Sequence, residues 1–173
     1  ILDDDGWVLP PNEIGQIYVR LPDYPDFTYH NDPEKRTSVE EGGLITCGDM
    51  GYLDEEGYLF ICDRKNDMVI SGGVNIYPAE IESVMIQLDG VKDCAVFGIP
   101  DPEFGESLMA YVEPLSEAQL DAADLRKQLE KHLANYKVPK HIEIRHDLPR
   151  EDSGKIFKKR LREPYWSDSA RKI

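Results

Sequence analysis

The chain has 173 residues, 40% of them hydrophobic, and a formal net charge of −14 at pH 7. That length suits one ordinary domain, or a small domain together with part of another. No run of about 18 or more apolar residues occurs, and the first residues contain no basic segment followed by an apolar stretch. These features predict a soluble protein of the cytoplasm with no integral membrane segment.

The charge is distributed unevenly along the chain. Residues 1–64 carry 4 basic and 15 acidic side chains, whereas residues 126–173 carry 14 basic and 7 acidic ones. A basic end on an acidic protein favours a local anionic ligand over nucleic acid, although a solvated helical surface explains it as well. Cys47, Cys62 and Cys94 are odd in number, widely spaced and without a nearby histidine, so we expect neither a disulfide framework nor a metal site.

The first part of the chain has the pattern of strands and turns. Residues 14–20 (IGQIYVR) alternate between apolar and polar side chains, and glycines punctuate the segment up to residue 62. We interpret it as a small antiparallel sheet or distorted barrel, with residues 30–43 as a polar connection. The chain begins without methionine, inside a hairpin-like pattern, which suggests that sequence precedes it.

From residue 78 the hydrophobic period becomes helical. Pro78 suits a first helical position, apolar side chains follow at i, i+3, i+4 and i+7, and Gly90 suits a C-terminal cap. Two strands follow, then a helix from about 121 to 135, a short strand at 141–146 and a basic final helix. This order predicts an α+β fold, in which a small antiparallel β part (1–64) precedes a compact α+β domain (65–173).

Three segments carry a family resemblance. Residues 46–49 (TCGD), 63–82 (DRKNDMVISGGVNIYPAEIE) and 148–155 (LPREDSGK) resemble, in order and spacing, core motifs of the adenylate-forming superfamily. It comprises acyl- and aryl-CoA synthetases, peptide-synthetase adenylation domains and luciferases. The resemblance implies activation of a carboxylic acid by MgATP to an acyl-adenylate, then transfer of the acyl group to a thiol. It also implies that residues 1–64 end a large adenylating domain and that residues 65–173 are the mobile C-terminal domain.

The resemblance assigns three residues to ATP and the first half-reaction. Asp49 matches the aspartate that binds the ribose, since a carboxylate can accept hydrogen bonds from two vicinal hydroxyls. Arg64 matches the arginine beside the hinge, whose fork of donors suits ribose or phosphate oxygens. Lys155 matches the catalytic lysine that bridges the acid and the α-phosphate, where an ammonium group stabilises the transition state.

Four further residues are assigned to the second half-reaction. Gly72 and Gly73 match the turn that lines the pantetheine channel, where the absence of side chains allows close approach of a ligand. Phe104 and Tyr136 match aromatic residues near the CoA nucleotide, although core or interface positions fit them nearly as well. Asn66 falls at the hinge position, where relatives usually have Asp or Lys, so the hinge assignment is open.

The predicted function is that of an acid:CoA ligase using ATP, Mg²⁺ and CoA. Residues 70–82 (ISGGVNIYPAEIE) resemble the corresponding segment of the CoA-ligase branch of the family. Two alternatives stay open: an adenylation domain that loads a carrier protein, and a non-catalytic α+β interaction module. The phosphate loop, the acid pocket and the Mg²⁺ ligands are expected upstream, so we expect the chain alone to be inactive. The acid, the oligomeric state and regulation by acetylation of Lys155 are left open.

Overall fold

The computed structural model describes residues 1–116 and 118–167. The chain forms two compact units, Ile1–Asn66 and Asp67–Ile173, where the sequence predicted a boundary near residues 64–67. The assignment of these units to particular domains of the family stays a prediction. Helices occur together with largely antiparallel sheets, so the predicted α+β class is confirmed.

The first unit is built from short strands. They are, in chain order, β1 (Gly15–Gln16), β2 (Glu40–Glu41), β3 (Leu44–Ile45), β4 (Asp49–Leu53) and β5 (Leu59–Arg64). A three-stranded antiparallel sheet has the order β1-β4-β5, and β2 pairs with β3. Glycines with positive φ stand in the tight turns between these strands.

The prediction of a polar connection at residues 30–43 was wrong in one respect, because this segment contains the helix α1 (Pro33–Ser38). The Asp32 carboxylate accepts a hydrogen bond of 3.0 Å from the Lys35 N–H, and Pro33 occupies the first turn. An aspartate at the N-cap followed by a proline in the first turn is a common start of an α-helix. The helix has no buried residue, so no apolar periodicity marked it in the sequence.

The second unit is one sheet with helices on both faces. Its elements are β6 (Val69–Ser71), β7 (Val74–Ile76), α2 (Pro78–Met85), β8 (Val91–Asp101), β9 (Gly105–Pro114), α3 (Ala122–Leu129), a 3₁₀ turn (Asn135–Lys137), β10 (His141–Ile144) and α4 (Lys158–Trp166). Strand β9 is central: it pairs antiparallel with β8 along its length, parallel with β10, and with β6 at its start. Strands β6 and β7 form a hairpin.

Strands β8 and β9 are buried on both faces, which follows from their nearly continuous apolar runs. Alternate residues point to opposite sides. Val96 and Ala110 belong to the core cluster that includes residues of α2 and α3. Phe97 and Tyr111 belong to the second cluster, which Leu161 of α4 completes. Residues on either side of the segment that carries Lys155 also pack in this second cluster.

Two helices are shorter than predicted. Helix α2 ends at Met85 rather than near Gly90, and α3 ends at Leu129 rather than near residue 135. In both places tighter i→i+3 hydrogen bonds follow, such as Leu88 N–H to the Met85 carbonyl, at 3.1 Å. The apolar spacing continues through these turns, so the sequence pattern did not show where the α-helical hydrogen bonds stop.

Candidate functional site

Asp49 and Arg64, both expected at the nucleotide, lie side by side in the first unit. They are direct partners in the register of β4 and β5, and Arg64 Nε lies 3.7 Å from Asp49 Oδ1. The Arg64 side chain is largely exposed and that of Asp49 partly so. This pair therefore presents a carboxylate and a guanidinium together at one sheet end.

The turn before Asp49 is held by hydrogen bonds within the 46–49 motif and to residues outside it. The buried Thr46 hydroxyl accepts hydrogen bonds of 3.0 Å from the Gly48 N–H and from Gln16 Nε2. The Gly48 carbonyl in turn accepts a bond of 2.8 Å from the N–H of Lys65. Asn66, the expected hinge position, follows directly and ends the first unit.

The two-residue turn between β6 and β7 consists of Gly72 and Gly73. Both have positive φ, 57° and 81°, which is the signature of a type I′ hairpin turn. A Cβ on Gly72 would lie 3.2 Å from Phe104 Cδ1, whereas nothing lies within 4 Å of the Cβ position of Gly73. The glycines are thus required by the backbone, and Gly72 also makes room for the Phe104 ring.

A groove of about 470 Å³ brings several predicted residues together in the second unit. Gly72, Phe104 and Tyr136 all line it; Gly73 does not. Both rings are well exposed, Phe104 at 47% and Tyr136 at 56%. The remaining lining residues are Ser71, Val74, Ser107, Leu108, Arg126, Asn135, Val138 and Lys140. Two aromatic faces and two cations in one groove suit a ligand with a planar ring and phosphates.

The loop that carries Phe104 is fixed by the carboxylate of Asp101. Its Oδ1 accepts hydrogen bonds from the N–H groups of Glu103 and Phe104, at 3.0 and 3.1 Å, and its Oδ2 accepts one of 2.8 Å from Lys140 Nζ. The hydrogen bond from Lys140, and then those from the two amides, lower the pKa of Asp101 to about 2. The Phe104 carbonyl also accepts a bond from the Gly72 N–H, which joins this loop to the glycine turn.

Lys155 lies outside the groove lining, on a small hairpin between Arg150 and Ile156, which form an isolated antiparallel bridge. The Lys155 side chain is exposed. Gly154 before it has a φ of 85°, a backbone conformation that glycine adopts without strain. The second unit thus carries two distinct candidate surfaces, the groove and the Lys155 hairpin.

Within residues 1–116 and 118–167, no group of three or more His, Cys, Asp or Glu side chains is placed to hold a metal ion. None of the helices in that same part of the chain has the length and hydropathy needed to cross a bilayer.

Comparison with known proteins identifies the family. Residues 80–155 match the model of the AMP-binding enzyme C-terminal domain. The 2-succinylbenzoate–CoA ligase of Oceanobacillus iheyensis is 42% identical over 154 residues, which cover 87% of this chain and 31% of that protein. The fatty acid–[acyl-carrier-protein] ligase ScoC of Streptomyces coeruleorubidus is 39% identical over 173 residues, 100% of this chain and 33% of that protein.

A solved structure shows the same fold. The ATP-bound MatB of Rhodopseudomonas palustris superimposes with a TM-score of 0.87 at 38% identity and covers 98% of this chain and 34% of MatB. The chain thus spans about a third of the length of the relatives it matches. It belongs to the adenylate-forming, AMP-binding enzyme family, and the residues that match the C-terminal domain model lie in its second unit.

Proposed function

We propose that the protein carrying this chain is an acid:CoA ligase that activates a carboxylic acid with ATP and Mg²⁺ and transfers the acyl group to CoA. The observation that carries the proposal is the convergence of Gly72, Phe104 and Tyr136 on one groove, while Lys155 occupies a separate hairpin of the same unit. Two surfaces on one unit suit two successive half-reactions.

In the first half-reaction, a carboxylate oxygen attacks the α-phosphorus of ATP, and pyrophosphate leaves. Lys155 is the group we assign to this step. Its ammonium group, placed between the carboxylate and the α-phosphate, stabilises the negative charge shared by both groups in the transition state. Its exposed position on a short hairpin suits a side chain that must reach a substrate held elsewhere.

Asp49 and Arg64 are assigned to the nucleotide. The Asp49 carboxylate accepts hydrogen bonds from ribose hydroxyls, and the exposed Arg64 guanidinium contacts ribose or phosphate oxygens. Their pairing across β4 and β5 supports a shared ligand. Mg²⁺ would neutralise the phosphates when bound, and its ligands are proposed to lie upstream of this chain.

In the second half-reaction, the CoA thiol attacks the carbonyl carbon of the acyl-adenylate, and AMP leaves. The backbone of the Gly72-Gly73 turn lines the pantetheine arm, and the rings of Phe104 and Tyr136 stack on the adenine. Arg126 and Lys140 place two cations in the same groove, which attract the phosphates of CoA.

The rest of the predicted organisation is part of the same proposal. Residues 1–64 end the large adenylating domain, residues 65–173 are its mobile partner, and Asn66 serves as the hinge because asparagine tolerates unusual backbone torsions. We place the reaction in the cytoplasm, which accords with the odd number and wide spacing of the cysteines in the sequence.

The experiment is a product assay on the full-length protein with ATP, Mg²⁺, CoA and a panel of fatty, aromatic and short branched acids. We expect an acyl-CoA thioester with at least one acid, together with one pyrophosphate and one AMP. The isolated 173-residue chain is the control and is expected to form no thioester, because the acid pocket is proposed to lie upstream. Turnover by the isolated chain, or none by the full-length protein, contradicts the proposal.

A second candidate is an adenylating enzyme that loads a carrier protein. It is favoured by the likeness to the acyl-carrier-protein ligase ScoC over all 173 residues. The same assay separates the two acceptors when a phosphopantetheinylated carrier protein replaces CoA. A gene that continues into a carrier domain with a phosphopantetheine serine would also favour this candidate, whereas efficient transfer to free CoA favours the first.

A further inference from the structure

The hairpin that carries Lys155 has few hydrogen bonds of its own. The Glu151 N–H donates to the Lys155 carbonyl and the Gly154 N–H to the Glu151 carbonyl, each at 2.8 Å. Residues 151–155 are exposed, and nothing lies within 4 Å of the Cβ position of Gly154. An exposed turn with so little packing opens easily, so a contact that holds its tip also bears on the direction in which Lys155 points.

That contact is made by the guanidinium group of Arg150. Its Nη2 lies 2.8 Å from Asp93 Oδ2 and 2.9 Å from Glu113 Oε2, and its Nη1 donates a hydrogen bond of 3.1 Å to the Gly154 carbonyl. Asp93 and Glu113 are opposite each other in the register of β8 and β9. One planar group thereby joins the tip of the hairpin to the two central strands of the sheet.

The anchor on the sheet side is buried and paired with two cations. The Glu113 side chain is only 7% exposed, and Lys92 Nζ also donates to its carboxylate. The hydrogen bond from Lys92, and then that from Arg150, keep the pKa of Glu113 below its ordinary value. A charge-assisted bond to a fixed carboxylate is strong and directional, so Arg150 has little freedom to turn away from Gly154.

We propose that Arg150 is a positioning residue for the adenylation step, because it fixes the carbonyl of the residue directly before Lys155. The Gly154 carbonyl and the Lys155 N–H belong to one planar peptide group. Holding the oxygen therefore fixes the plane from which the lysine side chain departs. This inference rests on the role proposed for Lys155. A displacement of about 1 Å in a catalytic group can cost on the order of a hundredfold in rate.

The test compares four variants of the full-length protein: Arg150→Met, Arg150→Lys, Lys92→Met and Lys155→Ala. Lys92→Met is the matched control, since it also removes a cation from Glu113 but leaves the bond to Gly154 in place. Acid-dependent pyrophosphate release measures adenylation, and thioester formation from a supplied acyl-adenylate and CoA measures the second step.

We expect Arg150→Met to lower kcat for pyrophosphate release about 10- to 100-fold, with little change in the KM for ATP and with normal thioester formation. Lys92→Met should retain the wild-type kcat. Arg150→Lys should be intermediate, because a single ammonium group can pair with Glu113 but does not reproduce the fork that also reaches Gly154.

The inference is overturned if Arg150→Met and Lys92→Met have equal kcat values, or if Arg150→Met slows both half-reactions equally. The role of Lys155 is left intact in that case, provided that Lys155→Ala still loses pyrophosphate release. No release by the wild type, or normal release by Lys155→Ala, overturns the proposed function and this inference together. If Arg150→Met fails to fold, the rate of hydrogen exchange at the Gly154 amide tests the inference instead. We expect this rate to be higher in Arg150→Lys than in Lys92→Met. Equal rates overturn the inference.

Discussion

At the scale of single residues, Asp101 is a buried acid next to the groove. Its side chain is 5% exposed and accepts bonds from Lys140 and from two backbone amides. Because these donors stabilise the carboxylate, its folded pKa is about 2, against an ordinary value of 3.8. A carboxyl whose pKa is lowered on folding stabilises the protein above its unfolded pKa and loses that contribution as the pH falls.

We therefore expect the free energy of unfolding to fall as the pH drops from about 4 to about 2, and part of that fall to be absent in Asp101→Asn. Urea unfolding of the chain at a series of pH values, wild type against variant, measures it. At pH 7 the variant should be the less stable of the two, and the difference should shrink toward pH 2. A difference that does not change with pH would contradict the role given to this carboxylate.

The family motifs name candidate site residues in the sequence, but they do not name the partners of those residues. Asp49, Arg64 and Lys155 follow from motif positions, and the register of β4 and β5 places the first two side by side. Arg150 stands in the same motif as Lys155, yet its partner Glu113 is 37 residues away. No spacing rule connects them, because the contact exists only once β9 is formed.

At the scale of elements, the turn between β6 and β7 links the sheet to the groove. Gly72 and Gly73 share a left-handed backbone conformation, but only Gly72 faces the Phe104 ring. The Gly72 N–H also donates a hydrogen bond to the Phe104 carbonyl. The two glycines therefore have the same backbone conformation, but only Gly72 lines the groove.

We expect Gly72→Ala and Gly73→Ala each to lower the free energy of unfolding by about 1–2 kcal/mol, the usual cost of a left-handed conformation for a residue with a Cβ. Only Gly72→Ala should also displace Phe104, so it should raise the KM for CoA more than Gly73→Ala does. Denaturant unfolding and thioester kinetics of the full-length variants check both parts. A larger KM effect in Gly73→Ala would argue against Phe104 as a ligand contact.

Element types were predictable and element ends were less so. The long apolar runs of β8 and β9 and the helical spacing after Pro78 identify those elements in the sequence. The early end of α3 was missed because Leu133 continues the apolar pattern and is buried even though it lies beyond the helix. Helix α1 was missed because it buries nothing, although Asp32 and Pro33 provide a start signal.

At the scale of the whole molecule, the chain is about a third of the enzymes it resembles. Strand β5 of the first unit leaves Leu59, Phe60 and Ile61 from 45 to 66% exposed, which is more apolar surface than a short strand usually presents to water. This exposure supports the proposal that further sequence completes the adenylating domain. Under that proposal the acid is selected outside these 173 residues, so its identity was not predictable from them.

We propose that Lys155 serves adenylation and that the groove serves thioester formation. The most direct test is acid-dependent pyrophosphate release by the full-length wild type and Lys155→Ala, with thioester formation from a supplied acyl-adenylate measured on the same samples. We predict that the variant loses at least about 100-fold in pyrophosphate release and still converts the acyl-adenylate and CoA to thioester. Normal pyrophosphate release by Lys155→Ala, or equal loss of both half-reactions, would contradict this division of roles.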